Sequence, residues 1–457
     1  MDMAVDSWAR EEVGAAAVHD ERLVKRLIKV TTDMAEHPGM GMPTVYPGDR
    51  AGSEAAYRLL NNAAVTAAGI DQSHAQATVR RLAEQRLVLV LQDTTPLDFT
   101  TTRVPGLGYL SGKRRGLLQH TALAVGMDGV PLGILDRAVW ARPHTEGPVA
   151  ATRRKRAIAD KESARWLESE QRTLALVPEH VDVVTVADRE GDIFEWFVAP
   201  RRPGAALLVR LAHDRVVDED VQHLMAATVG LAPMAKLDVA IPLAPGRAAR
   251  TAHCTLSWTT LTVAPPRNLR GRERLTSLAL SVVVLQEEPD SLATEPVRWV
   301  LATTLPITTA EEAAACVAWY RLRWRIEEWH NVLKQACRVE YTVQHSLEAI
   351  TTTLALSAII AWRTLVLKRL AELQPALPCT VLFLEVEWQT LWLWKHRGQA
   401  LPSTPPPLLE MVCALGHLGG YVGGRQRPIP GTRSLAKGFA RLNDLICGRS
   451  LPHPSLL

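Results

Sequence analysis

Two aspartates each stand at the end of a long apolar run of the sequence. Asp93 follows the run Leu87–Leu91, and Asp188 follows a second run of similar character. Continuous apolar runs are typical of strands buried on both faces, and functional groups in open α/β sheets gather at the carboxyl ends of strands. A single aspartate at a strand end is more often a turn or cap residue. Two at matching strand ends favour a shared site.

A third carboxylate, Glu327 on a later predicted helix, would complete a cluster of hard oxygen ligands. Such a cluster suits Mg²⁺ or Mn²⁺ and not zinc. Two ions of this kind can activate a water or a 3′-hydroxyl on one side of a phosphodiester and stabilise the leaving oxygen on the other. The three carboxylates therefore predict a site that holds two divalent metal ions.

The helix that carries Glu327 is predicted over Trp319–Lys334, a segment that mixes tryptophans, arginines and glutamates. At about 100° per residue, four polar side chains fall on one narrow stripe of this helix. The stripe consists of Tyr320, Arg323, Glu327 and Lys334. Two interpretations are open at this point. The stripe is either a functional surface or an ordinary salt-bridged face, in which an i, i+4 pair contributes only a few tenths of a kcal/mol.

The elements that must position these residues alternate between strand and helix. Strands are predicted at Leu87–Leu91, at 120–127 and at 129–142, the last two joined by a hairpin turn at "MDG". A charged helix follows over 153–177, then the strand that ends at Asp188, a helix, and a fifth strand, "AALLVRLAH". This order predicts a mixed α/β fold of ribonuclease-H-like arrangement, with an antiparallel start and parallel crossovers.

Other segments flank or interrupt this core. Residues 8 to about 80 are predicted to be helical, and residues from about 228 to 295 form a β-rich insertion. A further strand, "VRWVLATTLPI", precedes the late helix, where Thr309 and Glu312 predict a capping box. The remainder of the chain is predicted to be mostly helical.

Bulk properties are those of a globular protein. The chain has 457 residues, 47% hydrophobic and 22% charged, and a formal net charge of +4, which neither demands nor excludes nucleic acid. The six cysteines show no CxxC spacing, so zinc or a redox dithiol is not expected. The N-terminal segment lacks an apolar signal region, and the apolar segment Leu354–Leu367 is interrupted by Arg363 and favours a core helix. We therefore expect a cytoplasmic protein.

A basic face is predicted near the N-terminus. Four basic residues recur at helical spacing, with Leu23, Leu27 and Val30 on another face. These residues are Arg22, Lys25, Arg26 and Lys29. The face is either a solvated helix surface or a surface that contacts phosphates.

With these motifs in view, the sequence resembles the bacterial cut-and-paste DDE transposases of the IS4 group. The late helix carries the family signature Y-x2-R-x3-E-x6-K at Tyr320, Arg323, Glu327 and Lys334. "QDTTPLDF" resembles the family motif of the first aspartate and "VADREGDI" that of the second. The resemblance extends from about Trp8 to Glu340 and continues more weakly to the C-terminus.

The resemblance implies a chemistry and a set of residues. Asp93, Asp188 and Glu327 would be the catalytic triad that binds two divalent metals, and Tyr320, Arg323 and Lys334 would hold phosphates near the cleaved end. The family reaction is hydrolytic nicking, attack of the 3′-hydroxyl to form a hairpin, hairpin opening, and strand transfer into target DNA.

Further DNA contacts are implied by the same resemblance. Trp299 would stack on a base flipped from the duplex, although a core role is an equal alternative, and Arg210 would face DNA from a strand end. The N-terminal region would read the terminal inverted repeat, through Arg22, Lys25, Arg26, Lys29, Tyr57 and Arg58. The loop "GKRRG" offers Lys113, Arg114 and Arg115 to phosphates.

Three domains and a set of partners follow from these expectations. The domains are a helical DNA-end-binding domain at 1–82, a catalytic core at 83–345 and a mostly helical dimerisation region at 346–457. The expected partners are double-stranded DNA at transposon ends and target, and a second copy of the chain in a synaptic homodimer, with no membrane and no small-molecule cofactor. The protein would be nucleoid-associated when bound to DNA. The rival interpretations are a ribonuclease-H-like nuclease or resolvase and a non-catalytic DNA-binding inhibitor of transposition.

Overall fold

The computed structural model describes residues 7–143, 161–217, 223–241, 249–266, 275–288, 296–424 and 428–449. The chain divides into two units. The first unit consists of Met1–Glu84, Thr94–His144 and Arg325–Leu457, and the second consists of Gln85–Asp93 and Thr145–Trp324. Residues 153–160 of the predicted charged helix and parts of the predicted β-rich insertion lie outside the described residues.

Both helices and strands are formed by the described residues. The strands are β1 Leu87–Asp98, β2 Gly108–Tyr109, β3 Arg115–Val125, β4 Pro131–Trp140, β5 Asp182–Ala187, β6 Ala205–Arg210, β7 Ala235–Ile241, β8 Arg250–Val263, β9 Leu278–Glu287 and β10 Arg298–Thr303. The helices are α1 Ser7–Val13, α2 Glu21–Glu36, α3 Met42–Val45, α4 Arg50–Leu60, α5 Ala67–Leu82, α6 Ala164–Leu176, α7 Phe194–Val198, α8 Leu224–Val229, α9 Ala310–Leu322, α10 Trp324–Asn331, α11 Leu347–Leu373, α12 Glu385–Lys395, α13 Leu408–Leu418 and α14 Thr432–Arg449.

A mixed sheet runs through the second unit in the order β1-β5-β6-β10-β9-β8-β7. The pairings of β1 with β5 and of β5 with β6 are parallel, and the remaining pairings are antiparallel. Strands β7, β8 and β9 fall in the segment predicted to be β-rich. The mixed α/β class predicted from the sequence is therefore confirmed.

One face of this sheet is covered by an apolar core. Helices α6 and α7 bring Trp166 and Trp196 against strand residues that include Val209 and Val300. Both tryptophans are fully buried, and their ring centroids lie 5.5 Å apart. Because side chains alternate along a strand, the chain neighbours of these core residues point to the opposite face.

Helix α11 is the most buried long helix of the first unit. It packs against α2, α5, β4, α13 and α14. By length and composition alone it could span a membrane, but 89% of its most apolar window is buried inside the protein. The core helix predicted around Leu354–Leu367 is thus confirmed and extends further in both directions.

The hairpin and the capping box predicted from the sequence are both present. β3 and β4 pair antiparallel, and the turn between them is closed by the amide of Gly126, which donates to the carbonyl oxygen of Val130 at 2.9 Å. At the start of α9 the Glu312 amide donates to the Thr309 hydroxyl at 3.3 Å, and the Thr309 amide donates to the Glu312 carboxylate at 3.1 Å.

The continuous helix predicted over Trp319–Lys334 is wrong. Helix α9 ends at Leu322, and the Arg323 amide donates to the carbonyl oxygen of Tyr320, only three residues back. After α10 comes a π-helical turn at Val332–Ala336. A π turn holds more residues than an α turn, so a uniform 100° per residue does not extend to Lys334.

Candidate functional site

Asp93, Asp188 and Arg210 lie in one row across three neighbouring parallel strands. The residue two before Asp93 pairs with the residue two before Asp188, and the residue before Asp188 pairs with the residue before Arg210. Continuing these registers places the three side by side, on strands about 4.8 Å apart, with side chains on the same face. All three are half-buried. One face of this sheet therefore presents two carboxylates beside one guanidinium.

This row lies on the face opposite the apolar core. Ala187 and Val209, which precede Asp188 and Arg210 in the chain, are fully buried in the core cluster. Alternation along each strand then turns Asp188 and Arg210 the other way. Helix α9 packs against β5 and β6, and its Tyr320 contacts Trp299.

Asp188 also has a local structural role. Its carboxylate accepts a hydrogen bond from the Glu190 amide at 2.8 Å and begins a short 3-10 turn. The interpretation as a cap residue is thus correct for Asp188. It does not exclude ligand binding, because an ionised carboxylate can accept about four hydrogen bonds.

Asp192 fixes the segment that follows Asp188. Its fully buried carboxylate accepts hydrogen bonds from the amides of Ala212 at 2.8 Å and His213 at 2.7 Å. It also forms a buried ion pair with Arg215. These contacts tie the turn after β5 to the chain just after β6. Asp192 is not among the residues predicted from the sequence, where the second aspartate of "DREGD" was the available signal.

An aromatic pair stands on the same face as the row. Trp299 lies two residues before Leu301, the residue that pairs with Arg210 across β10 and β6, so its side chain shares that face. Its ring meets the Tyr320 ring edge-on, with centroids 5.1 Å apart and an interplanar angle of 68°. Tyr320 is buried and Trp299 half-buried.

Two arginines accompany this aromatic pair. The Arg323 guanidinium lies 5.7 Å from the centroid of the Tyr320 ring. Arg210 donates to the carbonyl oxygen of Arg298 at 3.2 Å, next to Trp299 in the chain. The second unit thus brings together six of the predicted site residues: Asp93, Asp188, Arg210, Trp299, Tyr320 and Arg323.

Glu327 and Lys334 belong to the first unit, and both are half-buried. The Lys334 charge acts on Asp98 at the end of β1, together with Arg114, whose guanidinium lies 3.9 Å from the Asp98 carboxylate. Hydrogen bonds from the Thr100 hydroxyl and amide lower the pKa of Asp98 against the effect of burial, and these two cations lower it further. Lys334 and Arg114 therefore flank one carboxylate in this unit.

The residue types at the row fit a hard cation. Asp93 and Asp188 supply carboxylate oxygens, which Mg²⁺ and Mn²⁺ prefer. Within the described ranges, no group of three or more His, Cys, Asp and Glu side chains is arranged to hold a metal ion. The second unit alone therefore offers two of the three predicted ligands.

The basic face of α2 is exposed and divides into two kinds of residue. Arg22 is paired with Asp20 at 3.2 Å, and Lys29 is paired with Asp33 at 3.0 Å. Lys25 and Arg26, in contrast, are exposed and form no ion pair with any described residue. These two charges are the ones most open to an external anion.

The other predicted DNA contacts are also accessible in the first unit. Arg58 is exposed on α4, and Tyr57 beside it is half-buried and lines a cavity. Lys113 and Arg114 are exposed in the loop before β3, and Arg115 is exposed at the first position of that strand. Arg115 donates to the Leu107 carbonyl oxygen at 3.3 Å, which orders the base of that loop.

Comparison with known proteins connects this surface to DNA. Residues 5–65, which contain α2 and α4, match the family described as Transposase DNA-binding. Over these residues the chain is similar to the DNA-binding segment of transposases.

A solved structure, the piggyBac transposase synaptic complex with hairpin DNA studied by cryo-EM, aligns with 82% of this chain and 78% of that chain. The sequence identity is 9% and the TM-score is 0.36, a likeness too slight to carry an argument.

Replacing Asp192 by Ala should lower the free energy of unfolding by about 3–5 kcal/mol, because Arg215 is left as a buried charge without its partner. Urea unfolding measures this loss. The double variant Asp192→Ala/Arg215→Met should recover part of it, and the control Asp188→Ala should cost only about 1 kcal/mol, the value of a cap. Equal losses for the two aspartates would contradict the assigned role of Asp192.

Glu36, the last residue of α2, makes the free energy of unfolding depend on pH. Burial raises the pKa of its carboxyl to about 7, from an ordinary value of 4.5. The charges of Asp33 and Glu387 add to this rise, and those of Lys29 and Arg363 oppose it. Between these two pH values the native state binds more protons at Glu36 than the unfolded chain does, so its contribution to stability falls as pH rises.

The variant Glu36→Gln should therefore match the wild type near pH 4.5 and exceed its stability by up to about 3 kcal/mol at pH 8. Urea unfolding at the two pH values measures the difference. The exposed Glu21 of the same helix provides the control, since Glu21→Gln should change stability by less than about 0.5 kcal/mol at either pH. A Glu36→Gln advantage that did not grow with pH would rule out this account.

Proposed function

We propose that this protein is a cut-and-paste DNA transposase of the DDE type, similar to the IS4 group, with a ribonuclease-H-like catalytic core. The observation that carries the proposal is the row of Asp93, Asp188 and Arg210 across three neighbouring parallel strands. The match of residues 5–65 to a transposase DNA-binding family supports it from a separate part of the chain. Glu327 is the proposed third carboxylate, on the evidence of motif spacing.

In this proposal Asp93, Asp188 and Glu327 hold two Mg²⁺ or Mn²⁺ ions. When bound, such ions activate an attacking oxygen and stabilise the leaving oxygen of a phosphodiester. The carboxylates form no bond to DNA. A water would hydrolyse one strand and free the 3′-hydroxyl of the transposon end. This hydroxyl would attack a phosphodiester of the opposite strand, closing a hairpin and displacing the 3′-oxygen of the flanking DNA. A second water would hydrolyse the hairpin and restore the 3′-hydroxyl, which would then attack a phosphodiester of the target and displace its 3′-oxygen.

The neighbouring side chains would position the DNA. The guanidinium groups of Arg210 and Arg323 and the ammonium group of Lys334 supply positive charge for phosphates. Trp299 would stack on a base that leaves the duplex. The edge-on contact from Tyr320 holds the Trp299 ring in place, an arrangement worth about 0.5–1.5 kcal/mol beyond burial.

The proposed partners are double-stranded DNA, at transposon ends and target, and a second copy of the chain. The homodimer would form in the synaptic complex through the helical region after residue 345, and no small-molecule cofactor is needed. The proposed location is the cytoplasm, on the nucleoid when DNA is bound. Sedimentation with DNA that carries the ends of the element should show two protein chains per pair of ends.

Cleavage of end-bearing DNA is the direct test. With Mg²⁺, the wild-type protein should produce nicks, then hairpin ends, then strand-transfer products, which a denaturing gel separates. Asp93→Asn, Asp188→Asn and Glu327→Gln should each lower the cleavage rate by about a thousandfold or more, since each removes several kcal/mol of transition-state stabilisation.

A matched control lies on β5, the strand that immediately precedes Asp188. Asp182 is exposed at the opposite end of β5, so Asp182→Asn should cleave like the wild type. Nicks without hairpins or transfer would favour a ribonuclease-H-like nuclease. Binding without any cleavage would favour a non-catalytic inhibitor.

DNA binding by α2 can be tested apart from cleavage. Replacing both Lys25 and Arg26 by Ala should weaken duplex binding. It should also reduce the magnitude of the slope of the log binding constant against log salt concentration by about 2, because two phosphate contacts are lost. Lys29→Ala should lower it less, since Asp33 already neutralises Lys29. Fluorescence anisotropy over a salt series measures both, and identical slopes in all three proteins would show that this face does not contact DNA.

A further inference from the structure

A cavity of about 350 Å³ lies in the first unit. Asp93 and Asp188, in contrast, belong to the second unit. Its wall is built from the segment between α2 and α3, from Tyr57 on α4, from residues 337–344 and from one side of α11. This volume is within the range of pockets that bind small molecules. None of the functional residues proposed above lines it except Tyr57.

One buried polar atom of the cavity lining has no hydrogen-bond partner among the described residues. Gln344 is 5% exposed, and its Nε2 donates to the Thr353 hydroxyl oxygen at 3.1 Å. The Thr353 hydroxyl in turn donates its hydrogen to the Ala349 carbonyl oxygen at 2.7 Å. Because that hydroxyl can only accept from Gln344, the orientation of the Gln344 amide is fixed, with Nε2 toward Thr353. Its Oε1 accepts no hydrogen bond from any described residue.

An unsatisfied buried acceptor is costly unless a ligand supplies the missing donor. The cavity therefore fits a molecule that places an N–H group within hydrogen-bond distance of the Gln344 Oε1 atom. The rest of the lining mixes polar residues, among them His37 and Ser357, with apolar and aromatic ones. Three of its large hydrophobic side chains are exposed: Met40 by 42%, Tyr341 by 70% and Val343 by 65%. Exposed apolar side chains clustered around one cavity mark a binding site.

The charge of the cavity favours an anion. Its lining contains no Asp or Glu. It contains Arg338, which is exposed, stacks over the Tyr341 ring at 5.1 Å, and forms no ion pair with a described residue. A ligand with a flat ring, an N–H edge and a phosphate would satisfy Gln344, Tyr341 and Arg338 together.

We propose that this cavity binds one unpaired nucleotide of DNA, with its base against Gln344 and Tyr341 and its phosphate on Arg338. The choice of DNA as the source rests on the proposed function. It is supported by the wall itself, because the α2–α3 segment and Tyr57 lie within residues 5–65, which match a transposase DNA-binding family. Bases outside a duplex are bound in this manner, by stacking on aromatic rings and by hydrogen bonds to their edges.

Short single strands test the proposal, because their bases are unpaired. The probes are fluorescein-labelled hexadeoxycytidylate and an abasic hexamer with the same number of phosphates, titrated with the full chain in EDTA and followed by anisotropy. The cytidylate should bind about tenfold or more tightly than the abasic strand, the contribution expected of one stacked base. Equal binding of the two strands would overturn the proposal.

Variants then assign the difference to this cavity. Gln344→Leu and Tyr341→Ala should each remove most of the preference for bases, whereas Tyr341→Phe should keep it. Gln399→Leu, at an exposed glutamine outside the cavity, is the matched control and should also keep it. Thermal melting checks folding. A Gln344→Leu protein that melts like the wild type and retains the full preference for bases would place base binding elsewhere and refute the proposal.

Photocrosslinking locates the bound base independently of the variants. A hexamer that carries one 5-iododeoxyuridine should crosslink to Tyr341 or Met40 on irradiation, as mapped by mass spectrometry, and a crosslink confined to other residues would contradict the assignment. These experiments need neither a metal ion nor transposon ends. If the protein cuts and joins transposon ends but shows no preference for bases, the cavity assignment alone is refuted. If it shows the preference for bases but never cleaves DNA, the proposed function alone is refuted.

Discussion

The parallel register of β1, β5 and β6 is the constraint on which the candidate active site depends. A slip of one residue would turn every side chain of a strand to the other face. Asp188 would then enter the apolar core, and Ala187 would take its place on the site face. The free energy gained by burying Ala187, Val209 and their neighbours therefore also fixes the side on which the carboxylates appear. Core packing and site geometry are here one and the same requirement.

The sequence was informative where local chemistry decides structure. The apolar run before Asp188 predicted the end of β5, and the Thr309–Glu312 spacing predicted the cap of α9. The end of the first strand at Asp93 was wrong, because β1 continues to Asp98. The amphipathic pattern of α2 gave its exposed and buried faces. Each of these features depends on residues within one or two turns, or on the alternation of a single strand, and so it is visible without knowledge of distant contacts.

The sequence failed where distant or competing contacts decide. The interruption at Arg323 and the π turn before Cys337 break a helix that contains neither Gly nor Pro. No residue of the segment therefore predicts either break. Asp192 owes its role to amides some twenty residues further on. The different status of Lys25 and Lys29 depends on Asp33, which leaves one lysine neutralised and the other not. A charge count of the helix treats the two alike.

The burial of α11 has a consequence for how the chain is made. Its partners α2, α5 and β4 precede it in the sequence, but α13 and α14 follow it. While the chain is being synthesised, the side of α11 that these last helices cover stays in water until they emerge. An apolar surface left open during folding promotes aggregation. Shortened chains that stop before α13 would keep that surface permanently uncovered, so the last helices act on solubility as well as on architecture.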